Sequence, residues 1–172
     1  MKSVDLQQDI TFETLYLPCH EALYKTALYY GFKNGIADDI LQQTVIDAMQ
    51  NFYQLKDKAY FKTWITRILI NNFKREYKRI KSSERIDDIN KSSIQSNVEI
   101  EEKVVSTLYI KDLLRNLKDK YRIVVTLKYL NNLTIYEISK VLKISQNTIK
   151  SRLYRALELL KNEMENDCYE RE

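Results

Sequence analysis

One stretch of the sequence carries charge of nearly one sign. Between Tyr60 and Lys81 a single acid, Glu76, stands against seven basic residues: Lys62, Arg67, Lys74, Arg75, Lys78, Arg79 and Lys81. On a helix, at about 100° per residue, four polar residues of this stretch fall within roughly 60° of one another, and their centre lies about 80° from the centre of an apolar stripe. The polar four are Arg67, Asn71, Lys74 and Lys78, and the stripe is Phe61, Trp64 and Ile68. This pattern predicts one core face and one face that neutralises phosphates, whereas a merely solubilising surface usually mixes the signs.

Two tyrosines stand in front of this basic helix. Tyr53 and Tyr60 bracket a short polar connection, Tyr53 to Tyr60, in which no long apolar run occurs. Aromatic rings in such a place can stack on unpaired bases, which contributes about 1–3 kcal/mol per base where it happens. Completing a hydrophobic core is the alternative role for either ring.

A second polyanion-binding pattern lies near the C-terminus. Thr134 and Glu137 have the spacing of a capping box at a helix start, and Ser145 can cap a next helix after a turn around Lys143 and Ile144. Two short helices joined in this way predict a helix-turn-helix. The second helix would bury Ile149, Leu153, Ala156, Leu157 and Leu160. Its other face would then present donors that suit base edges and phosphates, unless it is an ordinary solvated face: Gln146, Asn147, Lys150, Ser151, Tyr154 and Arg155, with Arg152 at the border.

The elements around these residues are all predicted to be helical. Two Gly and one Pro in 172 residues leave little material for hairpins or phosphate loops. Apolar spacing predicts helices from Phe12 to about Tyr30 and from Ile36 to Phe52 before the basic helix. The second of these has Asp38 and Asp39 in its first turn and Ile40, Leu41, Val45, Ala48, Met49 and Phe52 facing inward.

The sequence divides into two small helical domains. Residues 82–103 contain five Ser, no aromatic residue and more acids than bases, a composition too poor in apolar side chains to fold alone. We therefore expect an all-α protein with domains at residues 10–81 and 104–165 and a flexible linker at residues 82–103.

Catalysis finds no support in this composition. His20 is the only histidine, and there is no GxxxxGK phosphate loop, so we expect no enzyme activity, no metal and no cofactor. Cys19 and Cys168 lack a CxxC spacing, which favours free thiols in a reducing compartment, with Cys19 buried as a small apolar residue. No run approaches a membrane span and nothing resembles a secretory signal, so we expect a cytoplasmic protein without membrane insertion.

Three segments resemble the bacterial RNA polymerase sigma factors of the sigma-70 family. TIKSRLYRA at Thr148 to Ala156 is similar to the family's recognition-helix pattern TVKSRLxRA. FKTWITRILINNFKREYKR at Phe61 to Arg79 resembles FRTWLxRIAxNxxxDxxRR, and ADDILQQT at Ala37 to Thr44 resembles AEDLVQET. The departures include Lys143, where many members have Gly in the turn, and Glu76, where Asp is commoner. With only a linker between its halves, the chain resembles the compact extracytoplasmic-function (ECF, group 4) type.

The resemblance implies a region 2 helical bundle, a region 4 helix-turn-helix and a role for each set of residues. Asp39, Gln42 and Gln43 would dock on the clamp of core RNA polymerase, whose flap would hold the other half. The loop before Tyr60 would hold a base flipped from the −10 element. Promoter opening would use Tyr53, Tyr60, Lys62, Trp64, Arg67, Asn71, Lys74, Arg75 and Lys78. The set from Gln146 to Arg155 would read the −35 element, and an anti-sigma factor would be a further partner.

A free-standing helix-turn-helix regulator is the alternative hypothesis, since such a protein binds duplex DNA without polymerase. Response-regulator output domains also use this module. Their receiver domain requires alternating strands and helices, and the first half of this sequence has no such pattern.

Overall fold

The computed structural model describes residues 10–31, 36–83, 109–110 and 112–169. Within these ranges the chain forms helices and short turns and no strand, which confirms the all-α prediction. Most of the predicted linker, residues 84–103, lies outside the described residues. The first half contains α1 (Phe12–Gly31), α2 (Ile36–Asn51) and α3 (Phe61–Ser83). The second half contains α4 (112–116), α5 (Asp119–Val125), a π-helix (Thr126–Leu130), α6 (Ile135–Leu142) and α7 (Gln146–Tyr169).

The three long helices of the first half pack around a common core. Leu23 of α1, Leu41 of α2 and Ile65 of α3 are buried there, together with Ile40, Ala48, Phe61, Leu69, Ile70 and Phe73. The prediction that Met49 faces inward is wrong, because 53% of this residue is exposed. The buried residues of α2 occupy an arc of about 100°, and Met49 lies roughly 125° from its centre. Met49 is therefore on the outer face of α2.

The helix-turn-helix forms with the predicted start and turn signals. Thr134 Oγ1 accepts from the Glu137 backbone amide at 3.2 Å, and Glu137 Oε2 accepts from the Thr134 amide at 2.8 Å, which completes the capping box. Lys143 ends α6 in the left-handed region with φ 57°, as expected for a position where many relatives of this module have Gly. Ser145 Oγ accepts from the Thr148 amide at 3.1 Å at the start of α7.

One predicted core residue of α7 is at the edge of the buried face. Ile149 and Ala156 are fully buried, and Leu153 and Leu160 are partly buried. Leu157 is 41% exposed, so its prediction as a core residue is wrong. It lies about 80° around the helix from Ile149, beyond the arc that the other four share.

The capping box makes Thr134 a sensitive position for stability. Replacing Thr134 by Ala should lower the free energy of unfolding by about 1 kcal/mol, because the Glu137 amide at the start of α6 loses the hydroxyl that accepts its hydrogen bond. Urea unfolding followed by circular dichroism measures this change. Ser139→Ala is the matched control, since the Ser139 hydroxyl bonds only the Tyr136 carbonyl within the same helix. Equal losses in both variants would contradict a specific role for the cap.

The two halves share one core instead of standing apart. α6 packs on α3, and the π-helix packs on α1. Val124, Leu127 and Ile138 of the second half belong to the same buried cluster as Leu23 and Ile65 of the first. The sequence predicted the two halves but gave no sign of this contact. Among the helices that the structure describes, none has the length and apolar character needed to cross a membrane.

Candidate nucleic-acid interface

The basic helix α3 presents the predicted cationic face. Phe61, Ile65 and Leu69 are almost fully buried and fix the rotation of the helix. The residues on its outer side are exposed: Asn71, Lys74, Arg75 and Lys78. Three residues nearer the start of the helix are only partly exposed: Lys62, Trp64 and Arg67. The structure therefore gathers the predicted phosphate-binding residues along one helix, with the most accessible ones in its second half.

The connection between α2 and α3 displays both predicted tyrosines. Tyr53 is 80% exposed and Tyr60 is 56% exposed. The backbone beneath them is held by Lys58, whose Nζ donates to the Leu55 carbonyl at 3.0 Å and lies 3.6 Å from the centre of the Phe52 ring. Neither tyrosine completes the core, because phenylalanine rings fill it instead. Phe12, Phe52 and Phe61 contact one another edge to face there, with ring centres 5.5–6.1 Å apart.

This arrangement leaves two exposed aromatic rings beside a cationic helix. Because the buried phenylalanine cluster fills the core beneath this polar loop, both tyrosine rings stay exposed and a planar ligand can stack on them. Stacking surfaces next to cations are the usual combination for binding single-stranded nucleic acid.

The outer face of α2 carries the residues expected to contact a protein partner. Asp39, Gln42 and Gln43 are all exposed. Asp39 and Gln43 also line a groove of about 460 Å³ between α2 and α3, together with Asn72, Arg75, Glu76 and Arg79. Two of the residues expected to contact a protein partner are thus neighbours of the cationic helix across one groove.

A polar network that the sequence did not reveal joins these two helices. The Asp47 carboxylate accepts from Gln43 Nε2 at 2.7 Å and from Asn72 Nδ2 at 3.0 Å, and it lies 3.6 Å from Arg75 Nη2. Asn72 is 5% exposed and also donates to Thr44 Oγ1 at 3.1 Å. An Asn between the buried residues Leu69 and Phe73 was the available signal, because a buried amide needs a partner. Arg75, a predicted DNA contact, is held beside a carboxylate of α2.

The second helix of the helix-turn-helix exposes every donor predicted on its leading turns. Gln146, Asn147, Lys150 and Ser151 are exposed, and so are Tyr154 (76%) and Arg155. Arg152 is partly buried, in agreement with its expected border position. Arg155 Nη1 donates to Glu158 Oε2 of the same helix at 2.5 Å. This guanidinium must therefore release Glu158 before it can bind a partner outside the helix. The exposed set forms a continuous polar surface on one side of α7.

Glu137 links the helix-turn-helix to the basic helix. Its Oε1 accepts from Thr63 Oγ1 of α3 at 3.2 Å, while its Oε2 belongs to the capping box. Burial of this carboxyl favours its neutral form, but hydrogen bonds from Thr134 and Thr63 and the charge of Lys62 together lower its pKa. No role was predicted for Thr63 from the sequence, although it lies in the segment that resembles the sigma-70 family.

The remaining titratable residues offer no second site in the described part of the chain. No group of three His, Cys, Asp or Glu that could hold a metal occurs there. His20 Nδ1 lies 2.8 Å from Tyr16 Oη on the outer face of α1. Cys19 is buried and unpaired as predicted, and burial raises the pKa of its thiol, which keeps it protonated. The side chain of Cys168 lies outside the described residues.

Comparison with known families and proteins gives consistent matches to both halves. Residues 15–83 match the family described as Sigma-70 region 2, and residues 107–160 match Sigma-70, region 4. The chain is 30% identical over 158 residues to the ECF RNA polymerase sigma factor SigM of Bacillus subtilis (strain 168), covering 88% of this chain and 94% of that protein. It is 29% identical over 159 residues to the ECF RNA polymerase sigma factor SigW of the same organism, covering 83% and 85%.

A solved structure agrees with the fold across both halves. The sigma factor RpoE, in complex with the anti-sigma factor NepR from Bartonella quintana, matches with a TM-score of 0.77 at 21% identity, covering 90% of this chain and 96% of that one. These matches confirm the resemblance found in the three sequence segments. The chain belongs to the sigma-70 family of transcription initiation factors, in its ECF group.

Proposed function

We propose that this chain binds core RNA polymerase and directs it to promoters by reading a −10 and a −35 element and by helping to open the duplex. The observation that carries the proposal is the presence of two separate polar faces on one chain. One is the exposed cationic side of α3 beside Tyr53 and Tyr60, and the other is the exposed donor surface of α7.

The two faces suit different forms of DNA. The face of α7 begins at a helix start and offers amide, hydroxyl and cationic donors, which fits base edges in the major groove. The face of α3 offers cations and adjacent aromatic rings, which fits a strand whose bases are out of the stack. A protein that reads duplex at one end and single strand at the other has the properties that promoter opening requires.

Polymerase contact is proposed for the outer face of α2. Asp39, Gln42 and Gln43 are exposed there and lie within the residues that match Sigma-70 region 2. We assign the clamp of core polymerase to this face and the flap to the helix-turn-helix half. Because a similar sigma factor is known in complex with an anti-sigma factor, we propose an anti-sigma partner as well. The role is one of binding, so the chain supplies no catalytic residue, metal or cofactor.

Transcription with purified core polymerase tests the proposal. Core polymerase with this protein should give defined transcripts from a genomic DNA library, and core polymerase alone should not. Mapping the transcript starts also identifies the promoter elements. Tight and selective duplex binding by the protein without polymerase would instead support a free-standing regulator.

The Asp47–Arg75 contact predicts a change in salt dependence. Replacing Asp47 by Asn removes the carboxylate that competes with phosphate for Arg75, 3.6 Å away. The plot of log K against log salt concentration for polymerase with this protein on promoter DNA should become steeper by about one unit. Asp38→Asn is the matched control, because it removes an exposed acid from the first turn of the same helix. Equal steepening in both variants would mean that only net charge matters.

A further inference from the structure

The connection between α2 and α3 contains two short 3₁₀ turns, a first turn at Phe52–Gln54 and a second turn at Lys58–Tyr60. The first turn carries Tyr53, and the second ends at Tyr60. Each turn is closed by a backbone hydrogen bond of its own, of 3.1 Å in the first turn and 3.2 Å in the second. These two bonds hold each turn by itself, so the spacing between the turns needs another contact.

The side chain of Lys58 provides that contact. Its ammonium group, at the start of the second turn, lies against the end of the first. Nζ donates to the Leu55 carbonyl at 3.0 Å and to the Phe52 carbonyl at 3.4 Å, and it lies 3.6 Å from the centre of the Phe52 ring. An ammonium group has three N–H donors, so two carbonyls and one aromatic face account for all of them. Lys58 therefore joins the two turns through a single atom.

The end of α2 favours a cation at this place. Carbonyl groups at a helix C-terminus carry partial negative charge, and α2 has no basic residue in its own last turn. Because the first turn follows α2 directly, the Phe52 carbonyl belongs to this end of the helix. Lys58 supplies the positive charge that α2 itself lacks there.

The same contacts distinguish Lys58 from the cations of α3 that are assigned to phosphate. Lys74 and Lys78 are exposed, whereas Lys58 is only partly exposed and its donors are directed to the protein. A phosphate could bind this ammonium group only in place of one of the carbonyls. The geometry therefore favours a role inside the connection over a contact with the DNA backbone.

We propose that Lys58 is a positioning residue, which holds the two turns at a fixed spacing so that Tyr53 and Tyr60 can receive one unpaired base. The core does not fix either ring, because 80% of Tyr53 and 56% of Tyr60 are exposed. Their separation depends on the backbone that carries them, and Lys58 joins the two parts of that backbone. The binding of a base rests on the proposed function, since the base comes from the −10 element, whereas the effect of Lys58 on the free protein does not.

Amide hydrogen exchange in the free, full-length protein tests the first step. Lys58→Met keeps an unbranched side chain of similar length and removes the ammonium group. Exchange at the Leu55 and Tyr60 amides, which close the two turns, should become about tenfold faster, while the buried part of α3 should be unaffected. Unchanged exchange at both amides, or equally faster exchange throughout α3, would overturn the proposal.

Promoter opening by core polymerase with this protein tests the second step. Lys58→Met should lower the extent of opening about tenfold, as expected for the loss of one stacked base, when unpaired thymines are followed by their reactivity with permanganate. The slope of log K against log salt concentration should stay the same, because no phosphate contact is lost. A slope that falls by about one unit would identify Lys58 as a phosphate contact and overturn the proposal.

Two further variants complete the test. Lys58→Arg retains a cation that can donate to carbonyls and stack on the Phe52 ring, so opening should stay within about threefold of that of the unaltered protein. Lys56→Met removes an exposed lysine from the same connection and should leave opening unchanged. Failure of Lys58→Arg to preserve opening, or an equal loss in Lys56→Met, would overturn the assignment to Lys58.

The two steps can fail separately. If the unaltered protein opens no promoter while Lys58→Met still speeds exchange at both amides, the proposed function fails, and the binding of a base fails with it. The role of Lys58 in joining the two turns of the free protein would then stand.

Discussion

Reversing the charge of Lys74 and Lys78 should abolish promoter opening while the affinity for core polymerase stays within about twofold. Both lysines are on the exposed face of α3, on the opposite side of the helix from its buried stripe. Two reversed charges convert attraction for the backbone into repulsion, so opening should fall on the order of 100-fold. Permanganate footprinting of unpaired thymines measures opening, and a fluorescence titration measures polymerase binding.

The matched control reverses the charge of two lysines outside α3. Lys25 pairs with Glu21 and Lys161 with Glu165, each within its own helix, so Lys25→Glu with Lys161→Glu changes the net charge equally. This control should retain most of the opening activity. An equal loss of promoter opening in the two double variants would show that opening depends on the net charge of the protein and not on the exposed face of α3.

Replacing Asn147 or Lys150 by Ala should relax the selection of the −35 element. Both side chains project from the leading turns of α7, where Asn can recognise adenine and Lys can recognise guanine. Each loss should reduce discrimination at one or two base pairs by about 1–3 kcal/mol, or roughly 5- to 150-fold. Transcription from a promoter library with a randomised −35 element measures the preference at every position.

Lys161→Ala supplies the control on the same helix. It lies about 16 Å along α7 from Lys150 and outside the leading turns. It should leave the base preference unchanged. Uniformly weaker transcription in the Asn147 and Lys150 variants, with an unaltered base preference, would mean that these residues contact only phosphates.

The sequence predicted those features of the fold that depend only on residues close together in the chain. The capping box at Thr134, the left-handed residue Lys143 and the cap at Ser145 each depend on neighbours within four residues, and the structure has all three. The cationic face of α3 was predictable for the same reason, because the period of an α-helix fixes which of its residues share a face. The predictions that Met49 and Leu157 are buried were wrong, because apolar character alone does not give the width of the buried arc of a helix.

Long-range contacts could not be predicted in this way. Asp47 meets Asn72 and Arg75 only after α2 and α3 have packed, and Thr63 meets Glu137 across 74 positions of sequence. Nothing in the residues around Thr63 or Glu137 marks them as partners, since each also suits a purely local role. A buried Asn in an apolar stripe, as at Asn72, indicates that a partner exists without naming it.

The π-helix illustrates the same limit within one element. Thr126–Leu130 continues α5 with a wider turn, and its apolar residues resemble those of an ordinary helix. Leu127 and Asn131 acquire their burial from α1, which is distant in sequence. Packing of the first half against the second therefore decides which residues of this segment are buried.

Polymerase dependence of promoter recognition tests the central claim most directly. Footprinting of one promoter should be carried out with this protein alone, with core polymerase alone, and with the two together. Protection of the −10 and −35 elements, with unpaired bases around the −10 element, should appear only when both are present. Selective protection of either element by the protein alone, at concentrations that suffice with polymerase, would contradict its role as a sigma subunit.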